Sequence, residues 1–201
     1  MAQMIMNKTL TNFLGIAIAV LAIASSTHAA GFKHPGLLNS KAELGFIKGK
    51  IKAGAESWTS SFNALKKSRF GNLNWTPRPM AVVDARSNDA GIEIDDATAA
   101  YTQALLWYLT GNERYARKSV EILNAWSAKL TNRVSNDRQK ELVAGWCGSL
   151  FPLAGEILRY SYPKWSRGEI KQFSTMLNRA FLPPLLPGNP TYNGNAGMPA
   201  E

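Results

Sequence analysis

Residues 94 to 131, IDDATAAYTQALLWYLTGNERYARKSVEILNAWSAKLT, constrain the fold more than any other segment. They read as two amphipathic helices joined by the tight turn Thr110-Gly111-Asn112. Ala97, Tyr101, Ala104, Leu105 and Tyr108 recur at three- and four-residue steps in the first helix, and Tyr115, Val120, Ile122, Leu123 and Trp126 do much the same in the second. Gly111 supplies the stop between them. Such a hairpin cannot bury its apolar faces alone. The expected fold class is therefore all-α, an incomplete α/α toroid or stack of helical hairpins rather than a sheet protein.

The first residues combine one positive charge, Lys8, with the apolar run Phe13 to Ala24 and small residues beyond it. This is the pattern of a Sec-type signal peptide, with Thr27 and Ala29 meeting the small-residue rule at the cleavage site. The expected organisation is a signal peptide over residues 1–29 and one domain over residues 30–201, in a periplasmic or secreted protein. An uncleaved anchor is the alternative, but the apolar run is shorter than the roughly 20 residues of a bilayer span. No membrane association is expected after cleavage.

Cys147 is the single cysteine, so no internal disulfide can form and stability must come from packing. Its neighbours Trp146, Leu150 and Phe151 suggest a helix face, and a buried free thiol fits better than a nucleophile. The formal charge is +9, of which the leader carries only Lys8. A polyanion is the natural partner class, and for an exported chain acidic polysaccharides, anionic lipids and nucleic acid are all at hand, which charge alone does not rank. Nucleic acid is not expected, since no binding module accompanies the lysines.

Along the chain, the extended FKHPGLL entry (32–38) precedes a helix from Ser40, whose capping box is completed by Glu43, to about Ala53. A second helix is expected over Glu56 to Lys67 with Trp58, Phe62 and Leu65 inward, followed by an irregular stretch from Ser68 to Gly91. After the hairpin come a polar turn around Asn132 to Asp137 and helices over Arg138 to Tyr160 and Ser166 to Phe181. Pro152 predicts a kink or break near Leu150, and Ser166 with Glu169 forms a second capping box.

Most familiar chemistries lack their residues. His34 is the only histidine after signal cleavage, so neither a metal site nor a Ser/His/Asp triad can be assembled, and no cofactor is expected. Asp95 and Asp96 diverge by about 100° on a helix and read as first-turn acids facing the helix dipole.

Four segments taken together are more specific: HPGLL (34–38), AYTQALLWYLTGNERYARKSVEILNAWS (100–127), LVAGWCGSLFPLAGEILRY (142–160) and YNGN (192–195). In this order they resemble the alginate lyase family of polysaccharide lyases over nearly the whole mature chain. The resemblance implies an α/α toroid that cleaves uronic-acid polymers by β-elimination. In that reaction the substrate carboxylate is neutralised, a base removes the C5 proton, and an acid protonates the leaving oxygen. A proton beside an ionised carboxylate is very weakly acidic, so electrostatic stabilisation of the enolate-like intermediate must accompany any general base.

Carried onto this sequence, the late loop assigns carboxylate neutralisation to Asn193 or Asn195, with Asn195 preferred and Tyr192 as a substrate-binding neighbour. An ordinary Asn-Gly turn is the alternative. His34 is expected to shape or line the cleft. Trp75 and Trp146 are candidate stacking platforms and Arg78 a candidate carboxylate clamp, against the alternative that a helical Trp is core. In the family the loop is usually followed by Trp and a further helical half carrying catalytic His and Tyr, whereas AGMPAE follows Asn195 here. The expectation is an N-terminal portion with an incomplete active centre. An exported, non-catalytic helical binder of acidic glycans is the competing reading, and a helical scaffold for protein partners is a third.

Overall fold

The computed structural model describes residues 32–186. The expected signal peptide and the Tyr192, Asn193 and Asn195 loop lie outside the described residues. The described chain is predominantly helical, as the periodicity predicts. The long elements are α1 (Lys41–Lys52), α2 (Trp58–Lys67), α3 (Asn88–Thr110), α4 (Glu113–Lys129), α5 (Gln139–Ser161) and α6 (Arg167–Met176). A π-helical turn, Leu177–Phe181, and the short α7, Leu182–Leu185, follow.

The hairpin that leads the sequence is α3–α4, and its turn is built by its three residues. Thr110 Oγ1 donates to the Leu106 carbonyl at 2.5 Å and accepts from the Asn112 N–H at 3.1 Å. Gly111 adopts φ 71° and its N–H closes on Trp107 O at 2.8 Å, a left-handed cap that side chains disfavour. Asn112 then caps α4 by accepting from the Arg114 N–H.

Helix α3 packs along both α4 and α5, while α4 packs along α6. The hairpins α3–α4 and α5–α6 thus lie side by side, with α3 and α5 in one layer and α4 and α6 in the other. Between the layers, Ala97, Ala100, Ala104 and Leu106 of α3 are buried with Ile122, Leu123 and Trp126 of α4 and Phe151 and Leu158 of α5. Alanines on α3 let its neighbours approach closely, and the aromatic ring of Trp126 sits 5.9 Å from that of Phe151. Gly155 does the same between α5 and α6, because a Cβ there would lie 2.6 Å from a Phe173 ring carbon. Cys147 is fully buried, and burial pushes its thiol pKa well up.

Two strands join this frame. β1 (Val82–Asp84) enters α3 and β2 (Asn132–Val134) leaves α4, and they pair in parallel with Val83 opposite Arg133. The polar turn expected at Asn132 to Asp137 is therefore strand in its first half. Arg133 points into the core, where its guanidinium pairs with Glu93 of α3. Its Nε donates to Ala180 O at 3.0 Å, and the group lies 4.1 Å from the Phe181 ring centre. A buried charge pair of this kind is tolerated because both ions find several partners.

Several local expectations are corrected. α3 begins at Asn88, capped by Ser87, so Asp95 and Asp96 lie two turns inside it and are not first-turn acids. α5 runs unbroken through Pro152, held by the buried Phe151 and Ala154 on either side. Trp58 is 39% exposed and meets Phe46 of α1 edge-on rather than facing inward. Both capping boxes, Ser40 with Glu43 and Ser166 with Glu169, form as the spacing predicts.

Candidate functional site

Two groups of polar and aromatic side chains lie on the α3–α5 layer and the segments strapped over it. The first gathers around the HPGLL entry. His34 Nδ1 lies 2.6 Å from Glu156 Oε1 of α5, and the Gly36 N–H donates to the same oxygen at 3.2 Å. The imidazole stacks on Tyr160, with ring centres 4.0 Å apart and planes 9° from parallel. Asn39 ties the same segment to α3, its Oδ1 lying 3.4 Å from the Tyr101 hydroxyl. Burial raises the Tyr101 pKa, so this phenol holds its proton more firmly than a free tyrosine. The carboxylate on Nδ1 and the stacked phenol fix the imidazole's orientation.

Glu156 and Tyr160 were not singled out from the sequence as site residues, although both fall in the AGEILRY segment. The available signal was spacing. Positions 146, 149, 153, 156 and 160 fall within one stripe of an α-helix, so Trp146 shares the face that carries Glu156 and Tyr160. Trp146 is 43% exposed, so it is not a core residue, and about 21 Å of helix separates it from Tyr160. This stripe carries one indole, one phenol and one carboxylate on a rigid element, with an imidazole stacked at its end. Flat aromatic faces and hydrogen-bonding groups spread along such a length suit an extended polar chain better than a compact ligand.

The second group is the strap over residues 69–81. Asp96 is fully buried and accepts from Trp75 Nε1 (2.9 Å), Trp126 Nε1 (2.7 Å) and the Arg78 N–H (2.6 Å). Gln103 donates to Phe70 O and Asn72 O, Lys118 donates to Trp75 O, and Thr131 donates to Ala81 O. The irregular stretch is thus stapled onto α3 and α4 by side chains that replace the hydrogen bonds a regular element would give. Trp75 is partly buried against the core with its indole N–H committed to Asp96. Arg78 is half-exposed, 3.6 Å from Asp95, which Arg69 also grips with its two terminal guanidinium nitrogens.

The structure joins His34 with α5, places Trp146 on the same face of α5, and sets Trp75 and Arg78 in the separate strap around Asp96. Among the described residues no group of three or more His, Cys, Asp or Glu side chains is placed to hold a metal ion. No helix among them is long and apolar enough to cross a membrane.

No curated protein and no solved structure matches the chain. A family model described as alginate lyase matches residues 74–179, from the strap through both hairpins to the π-helical turn. That span is more than half of the 201 residues and contains the TGN turn, the Asp96 anchor, Trp146 and Glu156. A match over more than half of its length places the chain in the alginate lyase family, to which it belongs.

Proposed function

We propose that this protein is an exported polysaccharide lyase that cleaves a uronate-containing polymer such as alginate by β-elimination. The observation that carries the reading is the family match over residues 74–179. The basic charge of +9 supports an anionic substrate. The paired hairpins are read as one arc of an α/α toroid, with the α3–α5 layer facing the sugar chain. Residues 1–29 are read as the signal that sends residues 30–201 to the periplasm or the medium.

In this reading Trp146 stacks on a sugar ring, while Arg78 and Trp75 border the substrate path. His34, fixed by Glu156 and Tyr160, shapes the end of that path. Asn195, or Asn193 beside it, donates amide hydrogen bonds to the substrate carboxylate, with Tyr192 adjacent. Neutralising that carboxylate lowers the cost of the carbanion formed when the C5 proton leaves. The electron pair then forms the C4–C5 double bond as the C4–O bond breaks and the leaving oxygen takes a proton. No catalytic base is assigned.

Incubation with alginate, a glucuronan and a neutral glucan tests the proposal. Ultraviolet absorbance from unsaturated uronate ends rises on at least one polyuronate and stays flat on the neutral polymer. A flat trace on every polyuronate from folded protein overturns the activity. Salt-sensitive retention on alginate without cleavage would favour the non-catalytic binder.

A further inference from the structure

We infer that the groove between α4 and α6 is a second binding site for uronate units, on the helical layer opposite Trp146 and Glu156. The choice of ligand rests on the lyase reading above; the groove itself does not. Its volume is about 360 Å³, within the range of small-ligand sites. Gly168, Lys171, Gln172, Thr175 and Arg179 line one side and Ser127 and Ala128 the other, so two cations, an amide and a threonine hydroxyl border the groove with no carboxylate in the lining.

Much of this lining is held in place. Gln172 Nε2 donates to Ser127 Oγ at 2.9 Å, and an Arg179 guanidinium nitrogen donates to Leu130 O at 2.5 Å. Arg179 retains further N–H donors in its planar fork, the geometry that grips a carboxylate. Thr175 Oγ1 donates to Lys171 O at 2.9 Å, which leaves its oxygen lone pairs for a donor. The neighbouring acid of α6, Glu169, is occupied elsewhere by Asn124 and Ser166. Gly168 keeps one end open, since a Cβ there would meet nothing closer than Ser166 Oγ at 4.0 Å.

The chemistry selects a ligand bearing both a carboxylate and hydroxyl groups. Lys171 and Arg179 match the carboxylate, while Gln172 Oε1 and Thr175 Oγ1 can accept from ring hydroxyls, the Gln172 N–H groups and the Ser127 hydroxyl being engaged with each other and with Asn124 O. A neutral sugar would leave the two cations without a counter-charge. Inorganic phosphate offers the charge but no polyol to span the remaining lining. A uronate unit satisfies both ends, and a groove on the outer layer would tether the chain to a polymer independently of cleavage.

Amide NMR titration of the whole protein with an alginate trisaccharide tests this, with a neutral trisaccharide and inorganic phosphate as comparisons. Saturable shifts at Lys171, Gln172, Thr175 and Arg179 are expected with the uronate ligand. Affinity at these amides falls at least tenfold in Lys171→Glu, and likewise in Gly168→Phe, which fills the open end. Equal affinity in the wild type and in a folded Lys171→Glu variant overturns the inference. So do shifts confined to α5, or the same shifts with phosphate but none with the trisaccharide. Groove binding without unsaturated products would refute the lyase reading alone, and cleavage without groove binding would refute this one alone.

Discussion

Arg133 shows how much of this fold depends on single buried polar residues. It stands in the middle of β2 with its side chain 2% exposed, and it connects that strand to Glu93 of α3 and to the carbonyl of Ala180. Arg133→Met would leave the Glu93 carboxylate buried without its counter-ion. Urea denaturation is expected to show a loss of roughly 3–5 kcal/mol. Replacing both partners with apolar residues of similar volume should recover much of that loss, because the cost lies in the orphaned charge. Asp96 follows a related logic with neutral donors, its two oxygens satisfied by two indoles and a backbone N–H. None of these pairings was legible in the sequence: Arg133 lay in an apparent polar turn, and Asp96 looked like one of two first-turn acids facing the helix dipole. Partners 40 and 30 residues away leave no local trace.

At the scale of elements, the sequence was most informative where chemistry is local. The TGN turn, the two capping boxes and the apolar faces of α3 and α4 are set by neighbours within four residues, and the structure has them where the spacing predicts. Ser166→Ala should cost about 1 kcal/mol by thermal or urea denaturation, and Ser40→Ala a similar amount, through loss of the cap to N3. What escaped reading was set by tertiary contact. The start of α3, Ser-Asn-Asp-Ala-Gly, resembles loop punctuation, yet the helix runs through Gly91 because Ala90 and Glu93 are buried beside it. β1 and β2 are three residues each, too short to reveal alternation, and their pairing spans the whole intervening hairpin. For the same reason the candidate site was half-visible. Its members on α5 share a helical stripe, but the docking of His34 onto Glu156 spans 122 residues.

Across the molecule, carboxylates are held below their usual range by specific partners. Ser40 hydrogen bonds lower Glu43, and Lys164 with Tyr162 lowers Glu113. Arg86 lowers Asp137 strongly, and Ser166 lowers Glu169. In the unfolded chain these groups take up protons at higher pH than in the folded one. Their contribution to stability is therefore complete above the ordinary values of 4.5 for Glu and 3.8 for Asp, and is lost as pH falls through the depressed folded values. Urea midpoints should stay level from neutral pH down to the ordinary carboxylate range and then fall. Glu113→Gln should flatten that fall, and an unchanged slope would contradict the assignment. At this same scale the chain is basic, belongs to the alginate lyase family and presents an aromatic stripe on α5, and these features support the proposed elimination from a polyuronate. The most direct measurement of that claim is the mass of the products from alginate. Elimination predicts oligouronates lighter by one water than the corresponding hydrolysis products. Products at the hydrolytic mass, or intact polymer after incubation with folded protein, would contradict it.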